Sequence, residues 1–129
     1  MVAEGLLSLG KSVLPAIEDS LSSPRTRSRS GTAGYIGSMV KMDSTGVFFT
    51  PEDRKRISKR LLMFLTDMDE WLRMAAVRSL GETGDLSSLQ ALEEIRKNDS
   101  YKSPKGVFVI REMAARSIEQ IKKREIQAK

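Results

Sequence analysis

The sequence predicts an all-α chain, a stack of about three helical hairpins. Two observations carry this expectation. Apolar residues recur at helical spacing along most of the chain. One short pattern also returns at intervals of roughly 40 residues, the period of two-helix repeats. A third observation bounds what such a stack does: the 129 residues include no Cys and no His.

That absence removes Cys nucleophiles, Ser-His triads, His or Cys zinc sites, haem ligation by His and disulfides. The expectation is a non-enzymatic chain with no cofactor, no metal and no small-molecule substrate. At 129 residues it fits one domain with a real core. Aromatics make up only 5%, so Leu, Ile, Val, Ala and the seven adaptable methionines must fill the interior. No apolar run approaches the roughly 20 residues of a membrane span. Met1-Val2-Ala3-Glu4-Gly5 lacks the basic start of a signal peptide. No membrane and a cytoplasmic location are therefore expected. The net charge of +5 comes without a long single-sign block, which favours a mixed solvated surface over a nucleic-acid platform.

The elements follow in order. Met1 to Leu9 reads as the end of an inner helix whose beginning is missing, either a cap on the stack or the remnant of a longer solenoid. Val13, Leu14, Ile17 and Leu21 form a helical stripe, with Pro15 near its start where proline is tolerated. Ser22-Ser23-Pro24 is a turn. Arg25 to Met39 is rich in Ser, Gly and Arg, so propensity alone makes it a loop. The repeat makes it a helix despite Gly31, Gly34 and Gly37. Val40 to Phe49 joins two units, and its aromatics are expected to fold back over a hairpin end, as is Phe108. Thr50-Pro51-Glu52-Asp53 starts the clearest helix: an N-cap, a proline at the first helical position, and acids facing the positive end of the dipole. Ile57, Leu61, Phe64, Leu65 and Met68 form its stripe. A break at Asp67 and Asp69 precedes a helix carrying Leu72, Ala75, Ala76, Ser79 and Leu80 inward, closed by Gly81 and Gly84. Asp85 caps the next helix, with Leu89, Leu92 and Ile95, which ends at Asn98-Asp99-Ser100. After the loop Tyr101 to Gly106 comes a last helix with Ile110, Met113, Ala114, Ser117, Ile118 and Ile121. Lys122-Lys123-Arg124-Glu125 then reads as a fraying end.

The repeat is anchored on Arg29, Arg73 and Arg111, spaced 44 and 38 residues apart. Each is followed seven positions later by Ile36, Leu80 or Ile118, with small residues between. The units run roughly over 10–39, 50–83 and 85–122. The run Asp69-Glu70-Trp71-Leu72-Arg73-Met74-Ala75-Ala76-Val77-Arg78-Ser79-Leu80-Gly81-Glu82-Thr83-Gly84-Asp85 resembles HEAT-like repeats, including the subclass of phycobilisome lyases. The third unit keeps Ile110-Arg111 and Ala114 but has Glu119 where Gly81 stands; the first keeps Arg29, Ile36 and Gly37. The resemblance implies an α-α superhelix of the HEAT/armadillo kind, whose small inner residues let hairpins stack. In that family the repeated Arg often pairs with an Asp six residues earlier. Asp67 fits, but Ser23 and Lys105 occupy the other two positions, so a continuous Asp–Arg ladder is not expected.

For function the resemblance implies a protein-binding scaffold. Second helices of such hairpins line the concave side. With Leu72, Ala75, Ala76, Ser79 and Leu80 inward, the binding surface falls on Arg73, Met74, Val77 and Arg78, with Arg111, Ala115 and Arg116 in the third unit and Arg29 and Ala33 in the first. Arginines among small apolar neighbours suit an acidic or amphipathic protein segment. Against this stands a purely structural role for Arg73 and Arg111, tied to neighbouring turns. Arg54 to Arg60, with Lys55, Arg56 and Lys59, motivates a rival reading as a nucleic-acid-binding repeat module; its plainer reading is the solvated face of an outer helix. A third reading, a bilin-lyase-like subunit, rests on the resemblance alone.

Overall fold

The computed structural model describes residues 13–43 and 46–127. These residues are all-helical: α1 (Val13–Leu21), α2 (Thr26–Met42), α3 (Pro51–Phe64), α4 (Glu70–Thr83), a 3-10 turn (Leu86–Ser88), α5 (Leu89–Asn98) and α6 (Val109–Gln127). The expectation for Met1 to Leu9 lies outside the described residues.

Local chemistry places the boundaries. Thr50 starts α3 through a capping box: Asp53 N–H donates to Thr50 Oγ1 at 3.1 Å, and Thr50 N–H to Asp53 Oδ2 at 3.0 Å. Asp69 caps α4 by accepting from Trp71 N–H at 3.2 Å, and Asp85 caps the 3-10 turn through Ser87 N–H at 2.9 Å. The start of α2 has no side-chain cap. With three glycines in its length and no side-chain cap at its start, α2 owes its helicity to what packs on it.

What packs on it is α4. The inner helices lie side by side in the order α2, α4, α6, and α1, α3 and α5 pack on α2, α4 and α6 respectively. One motif joins the inner helices twice. Ser79 Oγ donates to the carbonyl of Ala33, and Gly37 N–H donates back to Ser79 Oγ at 3.2 Å. One unit on, Ser117 Oγ donates to the carbonyl of Val77 at 2.8 Å. Counted from the repeated arginines, both serines stand at the sixth position and both acceptors at the fourth. The eighth position is Gly37 or Gly81. A Cβ on Gly37 would sit 2.8 Å from Ser79 Cα, and one on Gly81 2.6 Å from Ser117 Oγ. Glycine is thus required wherever the next serine presses in. Glu119, at the eighth position of the third unit, is exposed.

The core runs through all three pairs, from Ile17, Leu21 and Ile36 through Leu61, Leu65, Leu72, Ala76 and Leu80 to Leu92, Ile110, Ala114 and Ile118. Leu89 departs from expectation: following the 3-10 turn, it packs against the core edge and is only partly buried. Phe49 is fully buried and Phe48 packs beside it, so the first connection does fold back. Asp43 holds it there. This buried carboxylate accepts from Phe48 N–H at 3.1 Å and Phe49 N–H at 2.8 Å, and pairs with Arg54 at 3.3 Å. Burial pushes its pKa up. Backbone donors from Phe48, Phe49 and Val47, together with the Arg54 charge, more than offset that and hold it below the ordinary carboxylate value. The expected fraying end is instead helical through Gln127. Arg124 caps the C-terminus of α4, donating to the carbonyls of Gly81 at 2.6 Å and Gly84 at 2.7 Å.

Two tests follow from these contacts. Gly31, in the same helix as Gly37, has nothing within 4 Å of where a Cβ would stand. In urea denaturation Gly31→Ala should stabilise the fold by about 0.5–1 kcal/mol, whereas Gly37→Ala should destabilise it by about 1–3 kcal/mol. Asp43 carries a folded-state pKa below its unfolded one. Its stabilisation is therefore fully present above roughly pH 4 and is lost as pH falls through the folded value. Asp43→Asn should lower the melting temperature at neutral pH, and the gap to wild type should close on acidification below roughly pH 4. A constant gap across that range would remove Asp43 from the acid response.

Candidate groove on the inner helices

A groove of about 470 Å³ lies between α2 and α4 and reaches α6. Its α2 wall carries Arg27, Ser30, Gly31, Gly34 and Tyr35. Trp71, Met74, Ala75 and Arg78 form the α4 wall, and Met113 of α6 closes the floor. Trp71 is 63% exposed and Tyr35 57%, both high for such large apolar surfaces. Arg27 and Arg78 are exposed cations on the lining; Arg78 also donates a long 3.4 Å bond to the Gly34 carbonyl. Among the described residues no carboxylate lines this groove. Asp69 lies at the adjoining end, beside Arg27, Ser30 and Trp71, and Glu112 is exposed on α6.

The expected site residues divide into three groups. Met74 and Arg78 are on the groove, and Arg116 is exposed at the α6 position equivalent to Arg78. Val77 and Ala33 are corrections: both are fully buried, because their carbonyls face the serines of the next inner helix. Ala115 is partly buried. Ala75, expected inward, lines the groove. The physical reason is that α4 is packed on both flanks and beneath, so its free stripe is narrower and turned by about one position from the one a single partner would leave.

Arg29, Arg73 and Arg111 form the third group, which the structure ties to turns. Arg29 Nη1 donates to the Ser23 carbonyl at 2.7 Å and Arg73 Nη1 to the Asp67 carbonyl at 2.8 Å, each six residues back. Two rungs of the ladder thus exist as bonds to backbone carbonyls, while the Asp67 carboxylate instead accepts from Asp69 N–H at 2.9 Å. Arg73 adds an ion pair with buried Asp99, Nε to Oδ2 at 2.8 Å. Arg111 donates to the Asp99 carbonyl at 2.7 Å, with its guanidinium 3.6 Å from the centre of the Phe108 ring. Asp99 therefore joins the second unit to the third.

Sequence reasoning missed Arg27, Tyr35 and Trp71. Arg27 and Trp71 stand two positions before the repeated arginines, one helical turn from Ser30 and Met74, a relation the repeat alignment already contained. The rival basic face is largely engaged: Arg54 pairs with Asp43 and Arg56 with Glu18, while Arg60 bonds Ser22 and lies over Phe64. Lys55 and Lys59 are exposed there. Among the described residues no three metal-ligating side chains converge, and no helix is long and apolar enough to cross a membrane. Comparison with protein-family models, curated proteins and solved structures gave no match.

The division between structural and groove arginines is measurable. Arg73→Met should cost about 3–5 kcal/mol, the usual penalty for stranding a buried ion-pair partner, while Arg78→Met should stay within about 0.5 kcal/mol of wild type. Equal losses would erase the distinction.

Proposed function

We propose that this chain is a non-enzymatic protein-binding scaffold of HEAT-like repeat type, an α-solenoid whose inner-helix groove holds a protein segment. The observation that carries this is the exposure of Trp71 and Tyr35 beside Met74, Arg27 and Arg78 in one concavity. Aromatic, Met and Arg side chains are the types enriched at protein interfaces. The serine–glycine contact repeated between inner helices supports the repeat reading, since it recurs at equivalent positions of successive units. Function in a cytoplasmic setting fits a chain without cysteine.

A partner isolated by affinity capture and then purified provides the test. The Arg78→Glu/Arg116→Glu variant should bind it at least about tenfold more weakly, a loss of about 1.4 kcal/mol, with an unchanged melting temperature. Loss of affinity on raising salt should be shallow. A steep linear fall of log affinity with log salt would instead indicate phosphate contacts and a nucleic-acid ligand.

A further inference from the structure

The three glycines of α2 face different surroundings. Gly37 is forced by the approach of Ser79, and Gly34 lies against the Arg78 guanidinium, 3.2 Å from where a Cβ would stand. Gly31 meets nothing within 4 Å. A glycine inside a helix costs about 0.5–1 kcal/mol relative to alanine, and here neither packing nor backbone conformation demands it. Its effect is on the groove, where it leaves the α2 wall open opposite Trp71, Met74 and Ala75. Around this opening the lining is apolar and, in Met74 and Met113, adaptable.

The charges lie to either side along the helix axes. Arg27 is one turn before Gly31, and Arg78 approaches the Gly34 carbonyl about one turn after it. From position 27 to position 34 is about 10 Å of helix. That distance matches about three residues of extended chain, or two turns of a bound helix. With no carboxylate on the lining, a docked anion meets two guanidinium groups able to make bidentate contacts.

We infer that the groove takes an acidic protein segment through one large apolar side chain seated over Gly31, against Trp71 and Met74, with carboxylates on either side of it pairing with Arg27 and Arg78. This rests on the protein-binding reading and specifies its ligand. An oligonucleotide fits less well, because the floor between the two arginines is methionine and alanine with no row of cations to follow a phosphate backbone.

The experiment uses random short peptides displayed for selection on the wild-type chain alone. Enriched peptides should share a large apolar residue flanked by Asp or Glu. A synthetic peptide of that consensus is then titrated while following Trp71, the only tryptophan in the chain, whose emission should shift to the blue as it is covered. Gly31→Leu should weaken binding at least about tenfold with a melting temperature no lower than wild type. Replacing the peptide's acids by amides should do the same, as should Arg27→Gln/Arg78→Gln, and these changes should flatten the salt dependence. Consensus peptides that bind Gly31→Leu as tightly as wild type would overturn the apolar anchor and leave the scaffold reading standing. Enrichment of uncharged or basic peptides would overturn the acidic ligand alone. No enriched peptide, together with tight and steeply salt-dependent binding of oligothymidylate, would overturn both.

Discussion

Between neighbouring inner helices a serine hydroxyl reaches a backbone carbonyl across a gap that only glycine leaves open. Ser79 meets Ala33 opposite Gly37, and Ser117 meets Val77 opposite Gly81. A buried hydroxyl left without a partner is costly, and a buried carbonyl accepting a second bond is better satisfied than one accepting a single bond. The contact therefore fixes both the spacing and the register of α2, α4 and α6. A shift of one residue would strand the serine and drive a side chain into the neighbouring backbone.

The remaining architecture follows from that spacing. Close inner helices leave room beneath for α1, α3 and α5, whose leucines and isoleucines complete the core. They also explain how a segment as poor in helix formers as α2 becomes a helix of 17 residues. The arginines then tie each inner helix to the turn before it. Because they address backbone carbonyls, the first unit keeps its tie with Ser23 in the place where Asp67 stands in the second. The insertion Tyr101 to Phe108 changes the third tie, and Asp99 takes it over from the end of α5 while serving Arg73 as well.

Most of the fold is legible in the sequence because period and spacing report burial directly. The helix over Arg25 to Met39 is the instructive case: propensity points to a loop, and the 44-residue offset from Arg29 to Arg73 points to a helix, which is what forms. The groove is legible only in part. Met74 and Arg78 follow from the helical wheel, but a wheel with one buried side turns Val77 and Ala33 outward, and both are interior because two helices flank α4 and α2 meets α4 through Ala33. The role of Asp99 and the cap from Arg124 depend on contacts separated by 26 residues in the first case and by 40 and 43 in the second, which no local pattern encodes. Leu89 shows the opposite error, an apolar residue at the right spacing on a helix whose first turn lies at the edge of the core.

The same constraint frees the groove. Since α2 is held by its contact with α4, its groove face can carry Arg27, Gly31 and Tyr35 without concern for helix stability. Native-state hydrogen exchange addresses this dependence most directly. If tertiary contact alone makes α2 helical, amides from Ala33 to Val40, Gly37 among them, should exchange only through global unfolding, with the same free energy and denaturant dependence as those of α4 from Ala76 to Leu80. Exchange of the α2 amides through a lower-energy local opening, with α4 still protected, would contradict the account.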